Sequence, residues 1–280
     1  DDIECRVLCP PPAYPYGEFE PSSQLIERQT VDGVPVTRLW TYQPQADSRA
    51  DQSNLGRILN YLVFSALASF YVLANFWRYD TIVTVSAPHT TFLPGAIGKL
   101  LGCSWVVDIF DLWLDNAADM GYVEPGTLAY RYIWTLEWLA ITKSDAVTVI
   151  TETMAQSYVE KFGVSRGRFT LVPFGVDEAL FTPTPEQTDS TQVLYVGNMG
   201  DAHALRPFIK AFQHLPTEYT LKFVGDGKRR EELETLVAER GLTEQISFAG
   251  FVDRTEVVSQ LQQSALSVVP LQDDLHLDYA

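Results

Sequence analysis

A chain of 280 residues is longer than one α/β sheet needs and fits two domains, each large enough to bury its own core. Its formal net charge of -16 excludes the basic face that gripping a phosphate backbone requires, so nucleic acid is not an expected partner. Cys5, Cys9 and Cys103 are odd in number and lack Cys-x-x-Cys spacing, and His89, His203, His214 and His276 are scattered, so neither a disulfide framework, a metal site nor a bound cofactor is expected.

The segment Asp1–Pro12 has no signal-peptide pattern and no initiator Met, and the expectation is a chain cut at its start. Residues 56–77, GRILNYLVFSALASFYVLANFW, are nearly long and apolar enough to span a bilayer, with Arg57 and Arg78 at the edges. Three readings are open for this run: a helix buried in an α/β layer, a membrane span, and a helix resting on a membrane surface. The recurrence of Asn60, Ser65, Ser69 and Asn75, and the strand pattern that follows at Asp80, place the buried helix first.

From Tyr79 onward short β-branched runs alternate with longer amphipathic ones, the rhythm of parallel strands joined by crossover helices. Strands are predicted at Thr81–Val85, Trp105–Ile109, Ala146–Ile150 and Thr170–Val172. Helices are predicted at Phe92–Leu101, Leu128–Thr142 and Met154–Phe162, the last opened by a capping box at Thr153-x-x-Gln156. Pro183–Thr191 is polar and Pro-punctuated and reads as a linker. After it come strand Gln192–Val196, helix Ala204–Leu215, strand Thr220–Val224, helix Lys228–Arg240, strand Gln245–Phe248, helix Thr255–Gln262 and strand Leu266–Val269. The fold class is therefore α/β, with two Rossmann-like doubly wound domains: residues 1–182, a linker at 183–191, and a second domain at 192–280 that is expected to be incomplete, because it stops after a strand with no covering helix.

Three strands of the second domain end in glycine, at Gly197, Gly225 and Gly250. In a parallel sheet these ends share one edge, where ligands of doubly wound folds bind. Gly197-Asn198-Met199-Gly200 is expected to lead into a helix whose N–H groups hold a diphosphate, and Gly225-Asp226-Gly227 precedes Lys228, Arg229 and Arg230. Each glycine is equally readable as a plain tight βα turn. Neither GxGxxG nor GxxxxGK[ST] is present, so dinucleotide and ATP sites are not indicated.

The segments VVDIFDLW (106–113), SDAVTVIT (144–151), LVPFGVDEALFTP (171–183), VLYVGNMG (193–200), LKFVGDGKRREELE (221–234), FAGFVDRTEV (248–257) and SVVPL (267–271) together resemble, in order, the retaining family-4 glycosyltransferases of the GT-B fold (glycosyl transferases group 1). The resemblance implies two lobes facing a cleft, with the second lobe holding a nucleoside-diphosphate sugar and the first presenting the acceptor. Matched by position, Gly197, Asn198 and Gly200 would face the donor phosphates or sugar, Gly225, Asp226, Gly227 and Lys228 would line the nucleotide pocket, and Phe251 and Val252 would contact the base. It implies no settled covalent nucleophile; catalysis would rest on dipoles and cations that stabilise charge on the leaving diphosphate.

Two departures from the family pattern stand out. Where relatives often carry Arg and Lys after the first strand glycine, this chain has Asn198 and His203, the latter readable as a pH-dependent cation or as a surface histidine. Where relatives place a His before the Asp at position 111, this chain has Phe110. Asp111, preferred over Asp108, and His89 are the first-domain candidates for contacting an acceptor hydroxyl, each alternatively a helix cap. Asp273, Asp274 and His276 read as solvated charge, and the family's E-x7-E segment would begin beyond Ala280.

The expected function is transfer of a hexosyl unit from a nucleoside-diphosphate sugar, a UDP-sugar first, to a sugar or lipid-linked glycan acceptor, with retention and without a metal. The setting would be cytoplasmic, at the inner face of a membrane if the apolar helix makes peripheral contact. A nucleotide-sugar epimerase of the same fold and a non-catalytic sugar-nucleotide-binding protein are the alternatives.

Overall fold

A computed structural model describes residues 3–12, 22–43, 54–86, 88–119, 121–183, 190–201 and 203–272. The chain parts between Phe174 and Gly175 into two compact units. The segment predicted as a linker lies inside the second unit, with 184–189 outside the described residues. The residues before it are already tied there: Gln262 Nε2 donates to the Thr182 carbonyl at 2.9 Å, and the Arg254 guanidinium stacks over Phe181 at 5.6 Å.

The first unit carries two sheets. Strands β1 (Val7–Cys9), β2 (Ile26–Val31) and β3 (Val34–Leu39) pair in the order β1-β3-β2, β1 parallel and β2 antiparallel to β3. The β2–β3 hairpin turns on Asp32-Gly33, both at positive φ (49° and 81°), the backbone twist that a two-residue turn needs. The second sheet is parallel throughout, in the order β4-β5-β6-β7: β4 (Thr81–Val85), β5 (Ser104–Ile109), β6 (Ala146–Val149) and β7 (Phe169–Leu171). Its strands were legible in advance to within a residue or two, whereas the first fifty residues yielded no predicted strand, since β1 to β3 are short and only partly buried.

Helix α1 (Asn54–Leu73) is a layer helix. Its polar residues anchor it: Asn60 Nδ2 donates to the Tyr42 carbonyl at 2.7 Å, and Ser65 Oγ to the Thr90 carbonyl at 2.6 Å. Among the described residues no helix is long and apolar enough to cross a membrane, so the span reading gives way to the layer helix. Helices α2 (Phe92–Leu100), α3 (Trp113–Asp119), α4 (Leu128–Lys143) and α5 (Glu152–Phe162) complete the unit. The capping box expected at Thr153 is not what opens α5. Thr151 is the N-cap, accepting from the Met154 N–H at 3.2 Å, because β6 ends only two residues earlier and the chain must turn at once; Gln156 instead bonds Glu160 at 2.9 Å.

The second unit is a four-stranded parallel sheet in the order β10-β9-β8-β11: β8 (Gln192–Val196), β9 (Thr220–Val224), β10 (Ile246–Gly250) and β11 (Leu266–Ser267). Helices α6 (Leu205–Phe212), α7 (Arg230–Glu239) and α8 (Arg254–Gln263) connect them, α8 capped by Asp253, which accepts from the Glu256 N–H at 2.8 Å. Tyr195, Met199, Ile209, Phe212, Leu221, Phe223 and Leu233 form its core, fully or almost fully buried. Truncating a ring such as Phe223 to Ala costs about 3–5 kcal/mol in such a setting.

Candidate functional site

In the second unit the three glycine turns do meet at one edge. The Gly197 N–H donates to the Val224 carbonyl at 3.0 Å and the Gly225 N–H to the Gly250 carbonyl at 2.8 Å, so the ends of β8, β9 and β10 are stitched side by side. Gly225 sits at φ +122°, and a Cβ there would lie 2.1 Å from the Gly197 carbonyl oxygen; a Cβ on Gly227 would lie 2.6 Å from the Met199 oxygen. Glycine is therefore required at 225 and 227 by the close approach of neighbouring backbone, whatever ligand the edge takes.

The expectation that residues 197–200 run into a helix with N–H groups to spare is not met. Met199 N–H donates to Asp226 O at 2.9 Å, Gly200 N–H to Asn198 O at 2.9 Å, and Gly197 N–H is already used. The helix itself, α6, begins only at Leu205. His203 lies in the intervening loop, not on a helix surface: it pairs through its backbone with Leu271, its ring stands edge-on to Tyr195 at 5.8 Å, and its Nδ1 is buried without a hydrogen-bond partner among the described residues. Burial pushes its pKa below the ordinary 6.5, so at neutral pH it is an uncharged imidazole rather than a cation.

The cations at this edge come from the β9–α7 turn. Lys228 and Arg229 both pair with Asp201, Arg229 Nε at 2.7 Å, while Arg230 spans Glu234 at 2.7 Å and Asp226 at 3.6 Å. Asp226 also accepts from the Gly227 N–H at 2.7 Å. Pairs this open to solvent exchange partners at little cost, so another anion can replace Asp201 on Lys228 and Arg229. Phe251, more than half exposed, and the partly buried Val252 follow Gly250 on the same edge, ahead of α8. Gly197, Asn198, Gly200, Gly225, Asp226, Gly227, Lys228, Phe251 and Val252 are thus brought to one place.

The first unit's candidates are arranged differently. His89 does not stand at an open edge and does not cap a helix; its side chain is fully buried in the 3₁₀ turn after β4, against Phe92 and Trp113 with ring centroids at 5.0 and 5.6 Å. Its Nε2 meets Glu137 Oε1 at 3.1 Å, and its Nδ1 has no hydrogen-bond partner among the described residues. Glu137, fully buried in α4, also accepts from the Tyr158 hydroxyl at 3.1 Å and has Lys161 Nζ 2.7 Å from its other oxygen; Lys161 in turn holds both oxygens of Asp115 at 2.8 and 2.9 Å. Burial alone would raise the Glu137 pKa, but the His89 hydrogen bond and the charges of His89 and Lys161 outweigh it and hold the carboxyl below its ordinary range. Burial likewise opposes the charge on Lys161, and Glu137 and Asp115 more than offset it, raising its pKa.

Asp111 follows β5 and takes a hydrogen bond from Asn116 Nδ2 at 3.2 Å. Burial pushes its pKa up, against the opposing influence of His89. Asp108 is turned into the sheet, where the Thr148 hydroxyl donates to it, and Phe110 packs on Phe174 with centroids 5.2 Å apart. Sequence reading missed Glu137, Tyr158 and Lys161. One signal was present: Glu137 interrupts the apolar stripe Leu136, Ala140, Ile141 of α4, a buried position where a carboxylate survives only if paired. Among the described residues no three His, Cys, Asp or Glu side chains cluster to hold a metal ion. Asp273, Asp274 and His276 lie outside the described residues.

Residues 1–175 match the glycosyl transferase 4-like domain family, and residues 176–274 the glycosyl transferases group 1 family. A 2-deoxystreptamine glucosyltransferase from Streptomyces kanamyceticus is 22% identical over 223 residues, which are 74% of this chain and 57% of that protein. A D-inositol 3-phosphate glycosyltransferase from Xylanimonas cellulosilytica is 25% identical over 154 residues, 48% of this chain and 37% of the relative. In structure the chain is similar to sucrose-phosphate synthase from Thermosynechococcus elongatus (TM-score 0.65, 18% identity, covering 90% of this chain and 63% of that one). It is also similar to Anabaena HepE in complex with UDP-glucose (TM-score 0.60, 17% identity, covering 85% and 61%). The chain thus spans between 37% and 63% of the length of these relatives, under two thirds of each.

Proposed function

The chain belongs to the glycosyltransferases, its first unit to the 4-like domain family and its second to group 1, and from that premise we propose that the protein moves a hexosyl unit from a nucleoside-diphosphate sugar to a glycan or lipid-linked acceptor with retention of configuration. The observation that carries the reading is the second unit's edge, where three strand-end glycine turns stand beside Lys228 and Arg229 on one side and Phe251 on the other. Exchangeable cations beside glycine turns that present no side-chain bulk suit a diphosphate; an exposed aromatic ring suits a base. The donor is a UDP-sugar: HepE, of similar fold, has been crystallised with UDP-glucose. Asp111, whose raised pKa makes it a better proton acceptor than an ordinary carboxylate, contacts the acceptor hydroxyl, and Glu137 orients His89 beside it. The transfer runs without a bound metal, the cations at 228–230 taking the charge of the leaving diphosphate.

The acceptor side works at a membrane surface in the cytoplasm. Leu62, Phe70, Leu73 and Trp77 recur at helical spacing on the exposed side of α1 and just beyond it, a face that would otherwise meet water. Calorimetric titration of UDP, GDP and ADP into the protein tests the donor site. UDP should bind in preference to the other two, and Lys228→Ala with Arg229→Ala should weaken it about tenfold, as expected for lost charge-assisted contacts. Absence of binding by any nucleotide would remove the donor reading.

A further inference from the structure

The second unit's edge carries a charge that opposes the use proposed for it. A diphosphate needs cations within reach, and the two that follow Gly227 in the chain, Lys228 and Arg229, are both held by one carboxylate, Asp201. The contact divides its oxygens: Oδ1 takes Arg229 Nε at 2.7 Å, and Oδ2 takes Lys228 Nζ. Two oxygens of one anionic group, each on a different cation, is the arrangement that a bridging phosphate group would make in the same place.

The backbone prepares this pairing. Asp201 stands in the loop between β8 and α6, and Lys228 and Arg229 stand in the turn between β9 and α7. Met199 ties the two stretches together twice: its N–H donates to the Asp226 carbonyl at 2.9 Å, and its carbonyl accepts from the Arg229 N–H at 3.1 Å. The Met199 side chain is fully buried in the core, and Gly227 permits the close approach, since a Cβ there would lie 2.6 Å from the Met199 carbonyl oxygen. The backbones that carry Asp201 and its two cations are thus fixed before the side chains meet, and only side-chain freedom is spent on the contact. Yet the three side chains are reachable from solvent, Asp201 being 27% exposed, Arg229 32% and Lys228 52%. The loop that brings Asp201 offers an anion little else, because the N–H groups of Gly197, Met199 and Gly200 are already committed. An anion that takes both cations therefore takes the place of Asp201.

We propose that Asp201 is an internal counter-anion of the donor site. It holds Lys228 and Arg229 in position while the site is empty, is displaced when the donor diphosphate takes both cations, and returns to them when the nucleoside diphosphate leaves. The inference rests on the donor reading of this edge. In a chain of net charge -16, two cations without a fixed local partner would be drawn to other surface carboxylates, and Asp201 keeps them where the glycine turns are. The cost is affinity: every anion that binds there does so against a competitor covalently attached to the site.

Calorimetric titration of inorganic pyrophosphate and of UDP into the wild-type protein and Asp201→Asn reads the displacement as a gain of affinity, which a damaged fold does not produce. Asp201→Asn should bind both anions about fivefold more tightly at low ionic strength, where exposed charges are least screened. Glu232→Gln removes the same charge from the first turn of α7, where its partner is Arg206, and should change affinity by less than about twofold. With Lys228→Ala and Arg229→Ala already in place, Asp201→Asn should give no gain, because the cations it would release are gone. Equal affinities of wild type and Asp201→Asn for an anion that binds, a gain no larger than that of Glu232→Gln, or a gain that persists without the two cations overturns the proposal. Pyrophosphate binding that shows the gain, with no binding of UDP, supports the counter-anion and removes the donor reading alone. Binding of neither anion by wild type or Asp201→Asn overturns both.

Discussion

The carboxyl edges of the two sheets are built from different material. In the second unit the edge is made of backbone: glycine turns locked by carbonyl contacts, with cations that exchange partners at the surface. In the first unit what stands behind the strand ends is side chains: His89, Glu137, Tyr158, Lys161 and Asp115, drawn from one turn and three helices into a buried network. The backbone edge tolerates changes to its charges and not to its glycines; the side-chain edge tolerates neither partner alone being removed.

The largest expected effect falls on the side-chain edge. Glu137→Ala leaves His89 and Lys161 buried without their shared partner and should destabilise the first unit by about 3–5 kcal/mol in denaturant unfolding. A loss under 1 kcal/mol would mean that the network is not held together by this carboxylate. The second effect tests the backbone edge. Gly225→Ala combines a positive φ with a Cβ 2.1 Å from a carbonyl oxygen and should cost about 3 kcal/mol, whereas Gly163→Ala, at φ +65° with open space around it, should cost about 1 kcal/mol. Equal costs at the two sites would show that the β8 and β9 turns are not in contact.

The third way to sharpen the contrast is acid. Glu137 is held below its ordinary pKa, so its contribution is present at neutral pH and is lost as the pH falls through the carboxylate range to its folded value. His203 is also depressed, from 6.5, so the second unit should lose a smaller amount earlier, as the pH falls below 6.5 towards the folded pKa of His203. Asp111, with its pKa raised, works against the loss from Glu137 and regains stability on acidification. Stability followed from pH 7 to pH 5 in wild type and His203→Gln should separate these: the variant should lose less, and identical slopes would mean that His203 does not titrate with folding. The smallest expected effect is on stability at Lys228→Ala, about 0.5 kcal/mol or less for a half-exposed pair, although nucleotide binding should fall.

The backbone edge was legible because its signal is local. A glycine directly after an apolar strand, three times in one unit, can be read within a few residues of chain, and all three turns meet where the topology puts them. What local reading could not reach was how the turns contact each other: whether Gly225 is required by a ligand or by the Gly197 carbonyl depends on residues 28 positions apart in β8 and β9 turns. The side-chain edge was legible only in part. His89 and Asp111 were singled out as strand-end residues, but their partners come from α3, α4 and α5, and no spacing in the sequence couples 89 to 137 or 115 to 161. Asn198 and His203, which stand where the resemblance would have Arg and Lys, turned on neighbours too: the N–H groups beside Asn198 are spent on Asp226 and on the turn itself, and burial removes the charge of His203, which was readable as a pH-dependent cation.

The sequence by itself determined the α/β class, the alternation of strands and helices from Thr81 onward, the shared edge of glycine turns and the likeness to glycosyltransferases, because hydrophobic period and turn chemistry act over a few residues. Tertiary structure alone decided which charges survive, which histidine is buried neutral and which is paired, and where the first unit's sheet is divided. These depend on desolvation and on pairing between residues brought together only by the crossover connections, and neither is written into any short stretch of the chain.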